Sequence, residues 1–271
     1  MKDTAIYGVS SIVGRFLNWC LVPMYTYLFP TEQYGIVTNI YAYVALVLII
    51  LLYGMETGFF RFANHERWNN PTQVYSTTLI SVGTSSMLFI ILACIFSPQI
   101  ASALNCGDHP SFIWMMAIAV GIDAYSSIPF SYLRYRKRPV RFATLKFVNI
   151  GLNIGLNLFF LILCPWIWKH SPDLIGWFYD PGFGIGYIFL ANLLSSMVIL
   201  LLLTPELKVT YSFNGRLWRE MVRYSFPLLI LGVAGIMNQT IDKILLPFLV
   251  ADPIDASQQL GIYGANYKIA I

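Results

Sequence analysis

The sequence predicts an all-α polytopic membrane protein: a six-helix N-terminal lobe followed by the start of a second lobe related to it by repeat. Three observations predict this class. Hydrophobic residues make up 57% of the 271-residue chain and charged residues 11%, where soluble domains carry about 25% charged residues. Mean hydropathy is +0.65, and the apolar residues recur in blocks of about 20, the length of a helix that crosses a bilayer. Runs such as Val44–Leu52 show no alternation of polarity, which sets aside an outer-membrane barrel.

Spans are expected near Ala5–Phe29, Ile36–Phe59, Tyr75–Ser97, Phe112–Leu133, Phe142–Ile167, Phe183–Leu203 and Pro227–Val250, with an eighth starting near Gly261. The first follows Lys2, contains Arg15 and is too long for a signal-peptide core, so it reads as a retained span. The second opens after Phe29-Pro30-Thr31, the third after Asn69-Asn70-Pro71 and the fourth after Asn105-Cys106-Gly107-Asp108. The fifth and sixth are separated at Ser171-Pro172-Asp173, with Trp166, Trp168 and Trp177 placed as an interfacial aromatic belt. The seventh ends at Asp252-Pro253. Cys20, Cys94 and Cys164 lie in apolar blocks and Cys106 stands alone in a loop, a spacing that suggests neither a disulfide frame nor a zinc site. No cofactor and no nucleic-acid partner is expected.

Charge placement orients the spans. With a cytoplasmic N-terminus, the cytoplasmic segments hold Lys2, Arg61, Arg67, Arg134, Arg136, Lys137, Arg138, Arg141, Lys146, Lys208, Arg216, Arg219 and Arg223. The opposite loops hold Lys169 with Glu32, Asp108, Asp173, Asp180, Asp252 and Asp255. This asymmetry alternates through all seven spans, as the positive-inside rule requires.

Tyr211–Tyr224 reads as a basic amphipathic stretch on the cytoplasmic surface, or equally as a linker between two bundles. An internal repeat favours two bundles. Leu21-Val22-Pro23-Met24 and Gln33-Tyr34-Gly35-Ile36 have counterparts in Leu245-Leu246-Pro247-Phe248 and Gln259-Leu260-Gly261-Ile262. The offset is 224 at the prolines and 226 at the glycines. Both copies start on the cytoplasmic side, so they would be parallel repeats about an axis along the membrane normal. The expected division is a six-helix lobe over residues 1–210, a cytoplasmic amphipathic linker over 211–226, and the first one and a half helices of a truncated second lobe over 227–271.

Charged residues within or near the spans are candidates for function, because each costs about 2.5–3.5 kcal/mol at a helix centre on insertion scales. These are Arg15, Glu56, Asp123, Asp242, Lys243 and Lys268, with Arg61 at the end of the second span. Ser11, Arg15 and Asn18 share one face of the first span; Asp123, Ser127 and Ser131 form a stripe on the fourth; Asn149, Asn153 and Asn157 form one on the fifth. Such stripes suit a hydrophilic central cavity, or alternatively interhelical packing, to which Gly151 and Gly155 add a small-xxx-small pattern. Arg15, Arg61 and Lys243 would suit an anionic ligand such as a diphosphate. Carboxylates such as Asp123, Asp242 and Glu56 could couple transport to a proton or sodium gradient, and Asn18 and Asn153 would add polar lining.

Certain segments resemble bacterial polysaccharide flippases, the O-antigen and capsule repeat-unit translocases of the multidrug/oligosaccharidyl-lipid/polysaccharide exporter superfamily. They are Tyr7-Gly8-Val9-Ser10-Ser11 through Arg15, Leu28-Phe29-Pro30-Thr31-Glu32-Gln33-Tyr34-Gly35, Glu56-Thr57-Gly58-Phe59-Phe60-Arg61-Phe62, and Asn238-Gln239-Thr240-Ile241-Asp242-Lys243 with Gly261-Ile262-Tyr263. The resemblance covers most of the chain in scattered short patterns. It implies a MATE-like fold, two lobes around a central cavity with alternating access, in the bacterial inner membrane. The implied cargo is an oligosaccharide on undecaprenyl diphosphate, with membrane lipids as surroundings and Arg15, Arg61 and Lys243 as its cationic contacts. A peptidoglycan-precursor flippase would share the diphosphate, whereas a drug/cation antiporter would be repelled by Arg15 and Lys243. An integral-membrane lipid or sugar transferase would need clustered acids or histidines, and His65, His109 and His170 are scattered over loops.

Overall fold

The computed structural model describes residues 21–270 apart from Glu66, Asn69, Asn105 and Asp108. The expected site residues Arg15 and Asn18, together with Lys2, Ser11 and the side chain of Lys268, lie outside the described residues.

The described chain is helical throughout. Its helices are α1 (Leu21–Leu28), α2 (Thr31–Leu52), α3 (Met55–Ala63), α4 (Pro71–Ile95), α5 (Ser97–Ala103) and α6 (Pro110–Tyr135). Next comes α7 (Pro139–Leu158), which runs through a π-turn at Phe159–Leu163 into α8 (Cys164–His170). Then come α9 (Pro172–Ile175), α10 (Gly186–Leu202), α11 (Thr204–Leu207), α12 (Gly215–Leu249) and α13 (Pro253–Ala270). Among the described residues five stretches are long and apolar enough to cross a membrane: Thr31–Ala63, Pro71–Ile95, Pro110–Tyr135, Pro139–His170 and Gly215–Leu249. Gly186–Leu202 is a shorter apolar helix. The chain is a multi-pass α-helical membrane protein.

Local chemistry sets the helix starts. Prolines stand in the first turn of α4, α6 and α7, where the missing N–H would have no helical partner. Asn70 caps α4 by accepting from the Gln73 N–H, and Asn214 caps α12 by accepting from the Arg216 and Leu217 N–H groups, each at 3.1 Å.

Two apolar clusters mark the two ends of the bundle. One gathers Tyr25, Tyr34, Phe112, Ile175 and Tyr187; the other gathers Met55, Phe59, Phe62, Val74 and Met221. The second lies at the end that carries most of the cations. Successive long helices run between these ends in alternating directions, following the order of spans that the sequence predicts.

Several boundaries differ from expectation. The second span is broken: Tyr53 (φ 33°) and Gly54 (φ 74°) are left-handed and separate α2 from α3. A Cβ on Gly54 would stand 2.9 Å from the Ser225 carbonyl oxygen, so α12 approaches the break too closely for a side chain. The residues expected to form a linker are, from Gly215, the opening turns of α12, and no break falls at Pro227. Leu217, Met221 and Ser225 recur every four residues and are buried against α3 and α4, so the apolar face of this amphipathic stretch meets protein rather than the membrane surface. The small-xxx-small expectation also shifts. Among the described residues nothing lies within 4 Å of a Cβ built on Gly151 or Gly155.

Close packing occurs instead where the repeat predicts a correspondence. A Cβ on Gly35 of α2 would fall 1.9 Å from the Ser257 carbonyl oxygen of α13, and one on Gly261 of α13 would fall 2.0 Å from the Thr31 carbonyl oxygen of α2. Thr31 and Gly35 precede Ser257 and Gly261 by the same 226 residues. Each helix therefore presents its small-xxx-small pair to that of the other, and the contact is reciprocal. Gly264 meets Thr38 at the same offset, with its Cβ position 3.1 Å from that of Thr38.

Candidate functional site: polar groups within the bundle

The polar stripes resolve into two constellations on different helix pairs. The first lies between α10 and its neighbours α2, α6 and α7. Ser196 donates to Asp123 Oδ1 at 2.7 Å, Ser195 donates to Asn149 Oδ1 at 2.5 Å, and Asn192 donates to the Tyr41 hydroxyl at 2.9 Å. On α7, Asn157 donates to the Asn153 carbonyl oxygen at 2.7 Å and accepts from the Tyr25 hydroxyl at 2.9 Å. Lys146 interacts electrostatically with both Asp123 and Glu56. Asp123, Asn149, Asn157 and Asn192 each meet a side chain of another helix, as polar groups in an apolar solvent require, while Asn153 is met by Asn157 of its own helix.

The α10 partners Asn192, Ser195 and Ser196 were not among the expected site residues. They were legible in part, being the polar residues of an otherwise apolar helix at i, i+3 and i+4. The Asp123 stripe does not act as one surface. Ser127 returns its hydrogen bond to the Ala124 carbonyl, and Ser131 accepts from Arg134.

The second constellation joins α12 to α13. Lys243 is 9% exposed and donates through Nζ to the Gln239 carbonyl at 2.7 Å. Its ammonium stands 3.2 Å from the centre of the Tyr267 ring, a cation–π contact, and 4.0 Å from Asp242 Oδ1. Asp242 accepts in turn from the Tyr263 hydroxyl and from the Lys243 backbone N–H. An ammonium has three N–H donors, and one is committed to a carbonyl here. The remaining donors are what an oxyanion would engage.

Glu56 and Arg61 both lie on α3 but serve different contacts. Glu56 pairs with Arg134 at 3.4 Å, whereas the Arg61 guanidinium stands 4.2 Å over the Tyr224 ring of α12. Lys243 lies nineteen residues beyond Tyr224 on that helix, about 28 Å at 1.5 Å per residue. That distance is close to the thickness of a bilayer's hydrocarbon core, about 30 Å. The expected cationic residues Arg61 and Lys243 thus do not form one site; they stand at two levels of one helix. The histidines form no cluster either: His65 stacks on Phe62, His109 on Phe112, and His170 lies against Trp166.

A family model described as polysaccharide biosynthesis protein matches residues 1–271. The chain belongs to this family. No curated protein and no solved structure matches it. For this polysaccharide biosynthesis protein, the family and the helical membrane fold together point to a transporter-type protein rather than an enzyme.

Proposed function

We propose that this polysaccharide biosynthesis protein translocates oligosaccharide repeat units linked to a polyprenyl diphosphate across the bacterial inner membrane by alternating access. The observation that carries the reading is the placement of two cations at two levels of α12. Arg61 stands at the basic end against α12, and Lys243 stands about 28 Å further along that helix. A diphosphate entering at the basic end would meet the Arg61 guanidinium, and one held deeper would compete with Asp242 and the Tyr267 ring for the Lys243 ammonium. The cation-rich end would face the cytoplasm, with the N-terminus on that side, in keeping with the positive-inside rule. Arg15 and Asn18 belong to the same proposal as further contacts. Asp123, Asp242, Glu56 and Asn153 are proposed as polar groups that couple transport to protons or sodium, or that hold the helices in register.

The reciprocal α2/α13 contact supports the alternating-access part. An interface built from two copies of one repeat is the natural surface at which two lobes would close and part. The test is complementation of a strain lacking its own O-antigen flippase, scored as surface polysaccharide on gels. We expect wild type to restore it, and Lys243→Ala, inserted at normal levels, to lower it at least tenfold. Arg61→Ala should give a smaller loss. Full restoration by both variants would remove the cationic pathway, and no restoration by wild type would point to another cargo.

A further inference from the structure

At the basic end lies a cavity of about 180 Å³ between the end of α6, the α6–α7 turn and α11. At about 30 Å³ per water, it holds roughly six waters, which is room for a phosphate with its first ester carbons. Arg136, Arg138 and Lys208 line it, with Tyr132, Pro205 and Glu206. The one acid is already neutralised: Arg141 holds the buried Glu206 carboxylate in a fork, at 2.9 Å from Nε and 3.0 Å from an Nη. Among the described residues Arg136, Arg138 and Lys208 have no carboxylate partner. Among the described residues the cavity is therefore a net cationic hollow that no carboxylate balances.

Its surroundings say what balances it. Three membrane helices end or begin here: α6 ends at Tyr135, α7 begins at Pro139, and α10 ends at Leu202. The hollow therefore sits at headgroup depth. Beside it, Leu201 at the end of α10 is 71% exposed and Val140 at the start of α7 is 69% exposed. Apolar side chains so placed face acyl chains, so the hollow opens beside lipid and not only to water. We propose that it is a binding site for the phosphodiester headgroup of an anionic membrane phospholipid, whose acyl chains run along Val140, Leu201 and Leu202. The phosphate would bridge the α6–α7 turn to α11 and hold the connector that leads into α12. Basic pockets between membrane helices on the cytoplasmic side bind such headgroups in general. The occupant shares its phosphate chemistry with the proposed cargo, but the site lies outside the Arg61–Lys243 system and does not depend on it.

The test uses the purified, delipidated protein and native mass spectrometry, titrating phosphatidylglycerol against phosphatidylcholine. Each cation near an anionic headgroup contributes about fivefold to affinity, so phosphatidylglycerol should be preferred at least tenfold. Arg136→Gln/Arg138→Gln/Lys208→Gln should abolish that preference, and Lys208→Gln alone should lower it about fivefold. All three side chains are exposed, so folding should persist; unchanged circular dichroism and gel-filtration elution check this. The control Arg216→Gln/Arg219→Gln removes exposed cations of α12 that do not line the hollow and should keep the preference. A triple variant that still prefers phosphatidylglycerol would overturn the proposal, as would a control that loses the preference equally. Displacement of the lipid by millimolar pyrophosphate would also overturn it, by showing a site for soluble or cargo phosphates. Transport is not part of the readout, so failure of the lipid proposal leaves the Arg61–Lys243 pathway to be judged separately by complementation.

Discussion

At the residue scale the informative groups are those that the bilayer makes expensive. Asp123 is tied to Ser196 across the α6–α10 seam at 2.7 Å. Asparagine can accept the same hydrogen bond, so Asp123→Asn should leave stability within about 1 kcal/mol of wild type while removing a titratable group. If Asp123 couples transport, the variant should lose the dependence of transport on pH or on an ionophore. An unchanged dependence would leave Asp123 with a structural role alone. Cys106 offers a simpler check on the bundle end away from the basic face. It lies in the loop before α6, where burial pushes its thiol up to about 11, so little thiolate forms below pH 9. Maleimide at pH 8 should leave Cys106 unlabelled in the folded protein and label it after denaturation. The sequence reading placed this cysteine alone in a loop; that the loop folds into the apolar cluster around Phe112 became visible only from packing.

At the scale of elements, glycines separate real contacts from patterns. Gly35 and Gly261 admit no side chain, because each faces a carbonyl oxygen at 1.9–2.0 Å from an added Cβ. Gly261→Val should force α13 away from α2, at a cost of about 1–3 kcal/mol or more, seen as a lower Tm of the purified protein. Gly155→Ala should cost nothing measurable, since among the described residues no atom lies within 4 Å of its new Cβ. The two glycine patterns look alike in sequence, and a helix interface needs a partner that the pattern does not name. Helix breaks follow the same logic. The apolar run through Leu52 gave no sign of the Tyr53-Gly54 turn, where Ser225 of α12 packs against Gly54 and donates to its carbonyl oxygen.

At the scale of the whole molecule, the proposed alternation would use the close α2/α13 contact as the junction between lobes. Its closeness allows a direct test of whether transport needs that junction to open. The Cβ positions at Thr38 and Gly264 are 3.1 Å apart, a little under the 3.5–4.5 Å of a disulfide, so a small shift of α13 accommodates the bond. Thr38→Cys/Gly264→Cys in a background without the native cysteines should cross-link on oxidation. If the lobes alternate, oxidation should cut transport at least tenfold and a reductant should restore it. Transport at full rate with the cross-link formed would rule out opening at this junction.

The sequence by itself determined the all-α, multi-pass membrane class and the end of the bundle where cations gather. It could do so because the bilayer acts as a solvent: it demands about 20 apolar residues per crossing and biases cations to one side, and both demands are local in the chain. Tertiary structure decided which polar groups meet. It paired Asp123 with Ser196 and Lys243 with Tyr267, and it separated Arg61 from Lys243 along α12. It also turned the expected linker into the opening turns of a 35-residue helix. Those outcomes depend on which faces approach across long stretches of chain, and a hydropathy pattern records only that a face is polar, not what lies opposite it.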